Sequence, residues 1–125
     1  MPSAARTKPS ARPDAPARRA AALCLDHKAQ DVVVLDLHGV TDMTDYFIVA
    51  SGTSDTHVRS VAKNVEAALA QDGIRPASTE GFDSGHWVLL DYVDFVVHVF
   101  HPSARAQYQL ERLWGDAPLL AVSPS

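Results

Sequence analysis

The sequence predicts a single α/β domain, a mixed β-sheet with helices packed on it, and three observations carry that expectation. The first is a pair of apolar runs set back to back, Trp87 to Leu90 and Phe95 to Phe100, rich in β-branched and aromatic residues. Only Asp91-Tyr92-Val93-Asp94 separates them, which is short enough for a hairpin. The second is a stripe of Val58, Val61, Ala62, Val65 and Leu69, spaced as one face of a helix. The third is the way strand-like and helix-like segments interleave along the chain. At 125 residues the chain has the length of one domain with one sizeable core.

In chain order, residues 1–17 read as a disordered basic arm, and Arg18 to Ala29 as a short helix with Leu23 and Leu25 among alanines. Val32-Val33-Val34-Leu35-Asp36-Leu37 is a continuous β-branched run and reads as a buried strand, broken by His38-Gly39. A polar connection leads to a second buried strand, Tyr46 to Ala50. Ser51-Gly52-Thr53 turns the chain, and Ser54 is placed to cap the striped helix, with Asp55 in the first turn where the helix dipole favours it. Gly73 ends that helix, and Ile74 is placed to fold back on Leu69. Pro76 to Thr79 reads as a short edge strand before the hairpin. The run Phe95 to Phe100 is nearly unbroken, so a central strand covered on both faces is expected. Pro102 opens a last helix with Ala106, Leu110, Leu113 and Trp114 on one face, stopped by residues 115–118. Residues 119–125 are expected to be a flexible end, leaving 18–118 as the folded domain.

Charge is unevenly placed. The formal net charge is −4, yet residues 1–20 hold Arg6, Lys8, Arg12, Arg18 and Arg19 against Asp14 alone. A basic arm therefore precedes an acidic body, which repels nucleic acid and anionic membranes and suits a basic protein partner or simple solubility. Cys24 is the only cysteine, so no intrachain disulfide forms and a reducing, cytoplasmic setting fits. No run approaches the ~18 apolar residues of a membrane helix. The arm has the Ala, Arg and Ser content of a transit peptide, but Pro2, Pro9, Pro13 and Pro16 spoil an amphipathic helix.

Three constellations with chemical potential fall short of a site. Six histidines invite a metal, but His98 and His101 point to opposite faces of a strand, and nothing completes a ligand set around His86 and His98. Ser51-Gly52-Thr53-Ser54 before a helix has the form of an anion cradle, but the two closely spaced carboxylates that hold Mg²⁺ in nucleotidyltransferases are missing; Glu80 stands alone, and Asp91 and Asp94 lie in the turn. No nucleophile elbow is present. No metal, cofactor or catalytic residue is expected. What packing does not explain is a group of aromatic and acidic residues beside a sheet edge: Glu80, the Gly81–Gly85 loop, Trp87, Asp91, Tyr92 and Asp94. Trp87, Leu89 and Asp91 alternate and share one strand face. The expected partner-binding set is Trp87 as apolar anchor, Leu89 and Tyr92 extending it, and Glu80, Asp91 and Asp94 meeting basic or hydroxyl groups. A competing reading makes Trp87 a core residue and leaves only the turn to bind.

These blocks resemble the ribosomal silencing factors of the Iojap family. The resemblance covers roughly residues 20 to 118. It rests on Val34-Leu35-Asp36, Thr44-Asp45-Tyr46-Phe47, Gly52-Thr53-Ser54, Glu80-Gly81, Trp87 to Tyr92, Val97 to Phe100, and Tyr108-x-Leu110-Glu111-x-Leu113-Trp114. It implies a five-stranded mixed sheet related to nucleotidyltransferases but without transferase activity. It also implies a bacterial or organellar translational repressor that binds the large ribosomal subunit through ribosomal protein uL-fourteen, blocks joining of the small subunit when nutrients are short, and forms a homodimer off the ribosome. No sequence-specific nucleic-acid contact is expected. The family's hairpin turn usually carries Gly after Asp-Tyr; here it is Val93. A valine at positive φ is an outlier, so a different turn geometry is expected.

Overall fold

The computed structural model describes residues 14–108 and 118–120. The elements are α1 (Ala15–Asp26), β1 (Gln30–Asp36), β2 (Tyr46–Ser51), α2 (Asp55–Gln71), β3 (Ser78–Glu80), β4 (Trp87–Asp91), β5 (Phe95–Phe100), α3 (Pro102–Tyr108) and β6 (Leu119–Leu120). The strands form one open sheet in the order β3-β4-β5-β2-β1-β6. β2 and β5 run parallel, and every other neighbouring pair is antiparallel. Residues 1–13, and the helical positions Leu110, Leu113 and Trp114 with their stop at 115–117, lie outside the described residues.

The sheet has six strands rather than the expected five. Leu119 and Leu120, read from sequence as part of a loose end, pair with Leu35 and Val34 along the edge of β1. Pairing a second chain segment there satisfies backbone groups that an edge leaves open. Two residues are too few for a periodic signal. α1 starts three residues earlier than expected, because Pro16 fits a first helical turn. It ends at Asp26, and Lys28 then takes φ +69° to reverse into β1.

α2 forms as its pattern dictates. The Ser54 hydroxyl accepts the His57 amide at 3.1 Å. Gly73 sits at φ +83° and its amide donates to the Ala70 carbonyl, while the Ile74 amide donates to Leu69, which is the Schellman arrangement. Val58, Val61, Ala62, Val65 and Leu69 are fully buried against the sheet. Each large side chain there contributes roughly 1.5–3 kcal/mol before chain entropy.

The two faces of the sheet differ. α1 and α2 cover one, over a core that includes Val34, Ile48, Val88, Leu90, Val97 and Val99. The alanines of α1 (Ala17, Ala20 and Ala21) are buried and let that helix approach closely. The other face carries a smaller cluster of Leu35, Leu37, Val49, Phe100 and Ala104, with Val33, Phe47 and Trp87 half-buried against it. β5 is buried along its whole length, as a central strand should be.

Candidate interaction surface

Alternation along β4 assigns its residues to these two faces. Val88 and Leu90 are fully buried under the helices, while Trp87, Leu89 and Asp91 are half-buried on the opposite side. β3 lies beside β4 with Glu80 opposite Leu89. Glu80, Gly81, Trp87 and Leu89 thereby line a shallow cleft of about 160 Å³. Gly81 makes this possible: at φ +90°, a Cβ placed there would sit 1.9 Å from the Trp87 carbonyl oxygen.

Trp87 lies between the two positions the sequence set against each other, half-buried on the smaller core cluster and bordering the cleft. Its ring stacks on Phe100 with centroids 5.0 Å apart, and its indole N–H donates to His98 Nδ1 at 3.1 Å. One side of the ring is thus tied to the smaller core cluster, and part of it reaches the cleft. His98 was missed as a contributor. Because Nδ1 accepts, the ring proton sits on Nε2, which is buried with no hydrogen-bond partner among the described residues. Burial pushes its pKa down to about 4, so the ring is neutral at pH 7. The signal was its place in an otherwise apolar central strand.

Tyr92 does not belong to this set, and its expected place on the binding face is corrected. It follows Asp91 and so projects to the helix-covered side, where it is 7% exposed and stacks on Phe95 at 4.7 Å. Burial, with Glu66 nearby, pushes its phenol up to about 12. Asp91 is partly committed to the turn, since Oδ1 accepts the Val93 amide at 2.8 Å. Asp94 is exposed, and its carbonyl accepts the Asp45 amide at 3.0 Å. The expectation that Val93 would avoid positive φ is also overturned. It sits at φ +73°, and the Asp94 amide donates across it to the Tyr92 carbonyl as in a γ-turn. The Asp91 cap and the β4–β5 ladder hold it there.

The other constellations are used internally. In the loop before α2, the Gly52 amide donates to the Phe100 carbonyl, the Thr53 amide donates to His57 Nδ1, and the Ser54 hydroxyl accepts the His57 amide as the helix cap. These groups are therefore not available to an anion. His86 stacks on His101 at 5.6 Å instead of meeting His98, and it approaches Asp55 at 3.3 Å. His38 is held between Asp36 (2.7 Å) and Asp45 (3.3 Å); the bond to Asp36 raises its pKa, and the His38 backbone amide lowers that of Asp36. Among the described residues, no three His, Cys, Asp or Glu side chains converge as a metal site, and no helix is long and apolar enough to cross a membrane.

The charges are sorted by element. Residues 29–58 and 76–104, which contain β1 to β5 and their connections apart from most of α2 and the turn after it, hold nine carboxylates and no Lys or Arg. The cations of the described body lie in or beside the helices, for example Arg18, Arg59, Lys63 and Arg105.

Comparison with known proteins gives a consistent result. A family model described as "Ribosomal silencing factor during starvation" matches residues 10–124. The chain is 46% identical over 100 residues to "Ribosomal silencing factor RsfS" of Bacillus subtilis (strain 168), covering 80% of this chain and 85% of that one. It is 30% identical over 95 residues to mouse "Mitochondrial assembly of ribosomal large subunit protein 1", covering 74% of this chain and 42% of that one. A crystal structure of a Chromobacterium violaceum protein superposes with a TM-score of 0.81 at 34% identity, covering 91% of each chain.

Proposed function

The chain belongs to the ribosomal silencing factor family, and on that premise we propose that it represses translation by binding the large ribosomal subunit and obstructing the small one. The observation that carries the reading is the family match over nearly the whole chain. The name of the mouse relative, which refers to the large subunit, supports the choice of subunit. The partner on that subunit is ribosomal protein uL-fourteen, and the contact surface is Glu80, Trp87, Leu89, Asp91 and Asp94. A sheet without Lys or Arg favours a basic protein over RNA phosphates.

The mechanism needs occupancy and no bond chemistry. A standard interface takes ~800 Å² from each partner, about one-eighth of the 6659 Å² surface here. The rest of the molecule stays outside the contact and stands in the way of subunit joining. The protein acts in the cytoplasm in this reading, and forms a homodimer when off the ribosome.

Cosedimentation with separated subunits tests the proposal. The protein should travel with large subunits alone and lower the yield of joined ribosomes. Trp87→Ala should weaken that binding at least thirtyfold, measured well below the variant's melting temperature. Equal binding to both subunits, or unchanged joining, would overturn it.

A further inference from the structure

Four large apolar side chains are exposed among the described residues: Val40, Met43, Val93 and Leu119. Three of them come from two segments that meet. The β1–β2 loop carries Val40 and Met43, and the β4–β5 turn carries Val93. β2 and β5 start side by side, with Tyr46 opposite Phe95, and the Asp45 amide donates to the Asp94 carbonyl. Met43, at 83% exposed, precedes one end of that bond by two residues, and Val93, at 61%, precedes the other by one.

Neither side chain is explained by folding. Val93 holds φ +73°, where a β-branched residue is strained and glycine is not, yet its side chain adds little to the core. Met43 is set outward on a structured loop: Thr41 Oγ1 accepts its amide at 3.2 Å, and the next residue, Thr44, is buried. Around them Asp42 and Asp94 are exposed, and among the described residues no hydrogen bond or ion pair engages their carboxylates. No Lys or Arg occurs in either segment or in the strands they join.

We propose that this junction is a second docking patch for a Lys- and Arg-rich protein segment of the large subunit, with Met43 and Val93 as apolar anchors, Asp42 as its own charge partner, and Asp94 shared with the Trp87 surface. The inference rests on the proposed large-subunit binding and extends it beyond the Trp87 cleft. A phosphate backbone would be repelled here, so the occupant is protein. An apolar centre with a carboxylate rim is the composition of an interface core and its polar edge.

The test is a titration of purified large subunits with four proteins: wild type, Trp87→Ala, the double variant Met43→Ser/Val93→Gly, and Asp42→Asn. Val93→Gly relieves the strained backbone and Met43 is exposed, so the double variant should melt no earlier than wild type. It should nonetheless bind at least tenfold more weakly. Asp42→Asn, which leaves the Trp87 surface intact, should flatten the fall in affinity with added salt. If the apolar double variant binds within twofold of wild type while Trp87→Ala is weakened, this inference fails and the proposed function stands. If wild type does not bind large subunits, both fail. Binding retained by protein-stripped ribosomal RNA would overturn the assignment of a protein partner.

Discussion

Lowering the pH from 6.5 to 4 should destabilise this protein through one side chain, His98. In the folded state its pKa is about 4, because the ring is buried. Its neighbours are apolar: Leu89 across β4, Val49 across β2, and the rings of Phe47 and Phe100. In the unfolded chain the ring titrates near 6.5. The unfolded state therefore takes up a proton first, so stability is fully present above pH 6.5 and is lost as pH falls toward 4. At 1.36 kcal/mol per pH unit, the gap is worth about 3 kcal/mol, a large part of a small domain's total. Protonation also puts a hydrogen on Nδ1, which then faces the Trp87 N–H instead of accepting from it. His38 works in the opposite sense: its raised pKa gives a contribution that is complete below 6.5 and lost only as pH rises above it. The window from 6.5 down to 4 is thus free of it. Urea denaturation followed by circular dichroism across that window measures the slope. His98→Asn keeps an acceptor for Trp87 without a titrating ring, so it should be less stable at neutral pH yet show little slope. An unchanged slope in His98→Asn would refute the reasoning.

Two further predictions concern glycine positions and the buried thiol. Gly81→Ala should cost more than about 2 kcal/mol, because its Cβ would overlap the Trp87 carbonyl as well as strain φ. Gly73→Ala, where a Cβ meets nothing within 4 Å, should cost about 1 kcal/mol from φ alone, and urea titration of both variants separates the two effects. The Cys24 thiol is buried and its pKa is raised to about 12, so it should resist alkylation at pH 8 in the native protein and react on unfolding; rapid native labelling would show that α1 opens easily.

Much of the candidate surface was legible before any coordinates. Period-two alternation placed Trp87, Leu89 and Asp91 together, and Glu80 lies beside them as expected. Applied one residue further, the same rule would have sent Tyr92 to the other face. Its neighbourhood of acidic turn residues suggested exposure, whereas strand parity decides burial. Val93 misled for a different reason. The local preference against positive φ is real, but the Asp91 cap and the paired strands on either side impose the turn.

By itself the sequence determined what depends on near neighbours: the α2 stripe with its Ser54 cap and Gly73 stop, the four longer strands, the acidic body and the family. These follow from backbone geometry and side-chain periodicity over a few residues, which the order of residues states directly. The tertiary structure alone decided which distant segments meet. It brought Leu119–Leu120 to the edge of β1, set His98 under Trp87, and joined the β1–β2 loop to the β4–β5 turn. Those pairings arise from closing one sheet around a shared core, a condition on the whole chain that no short stretch encodes.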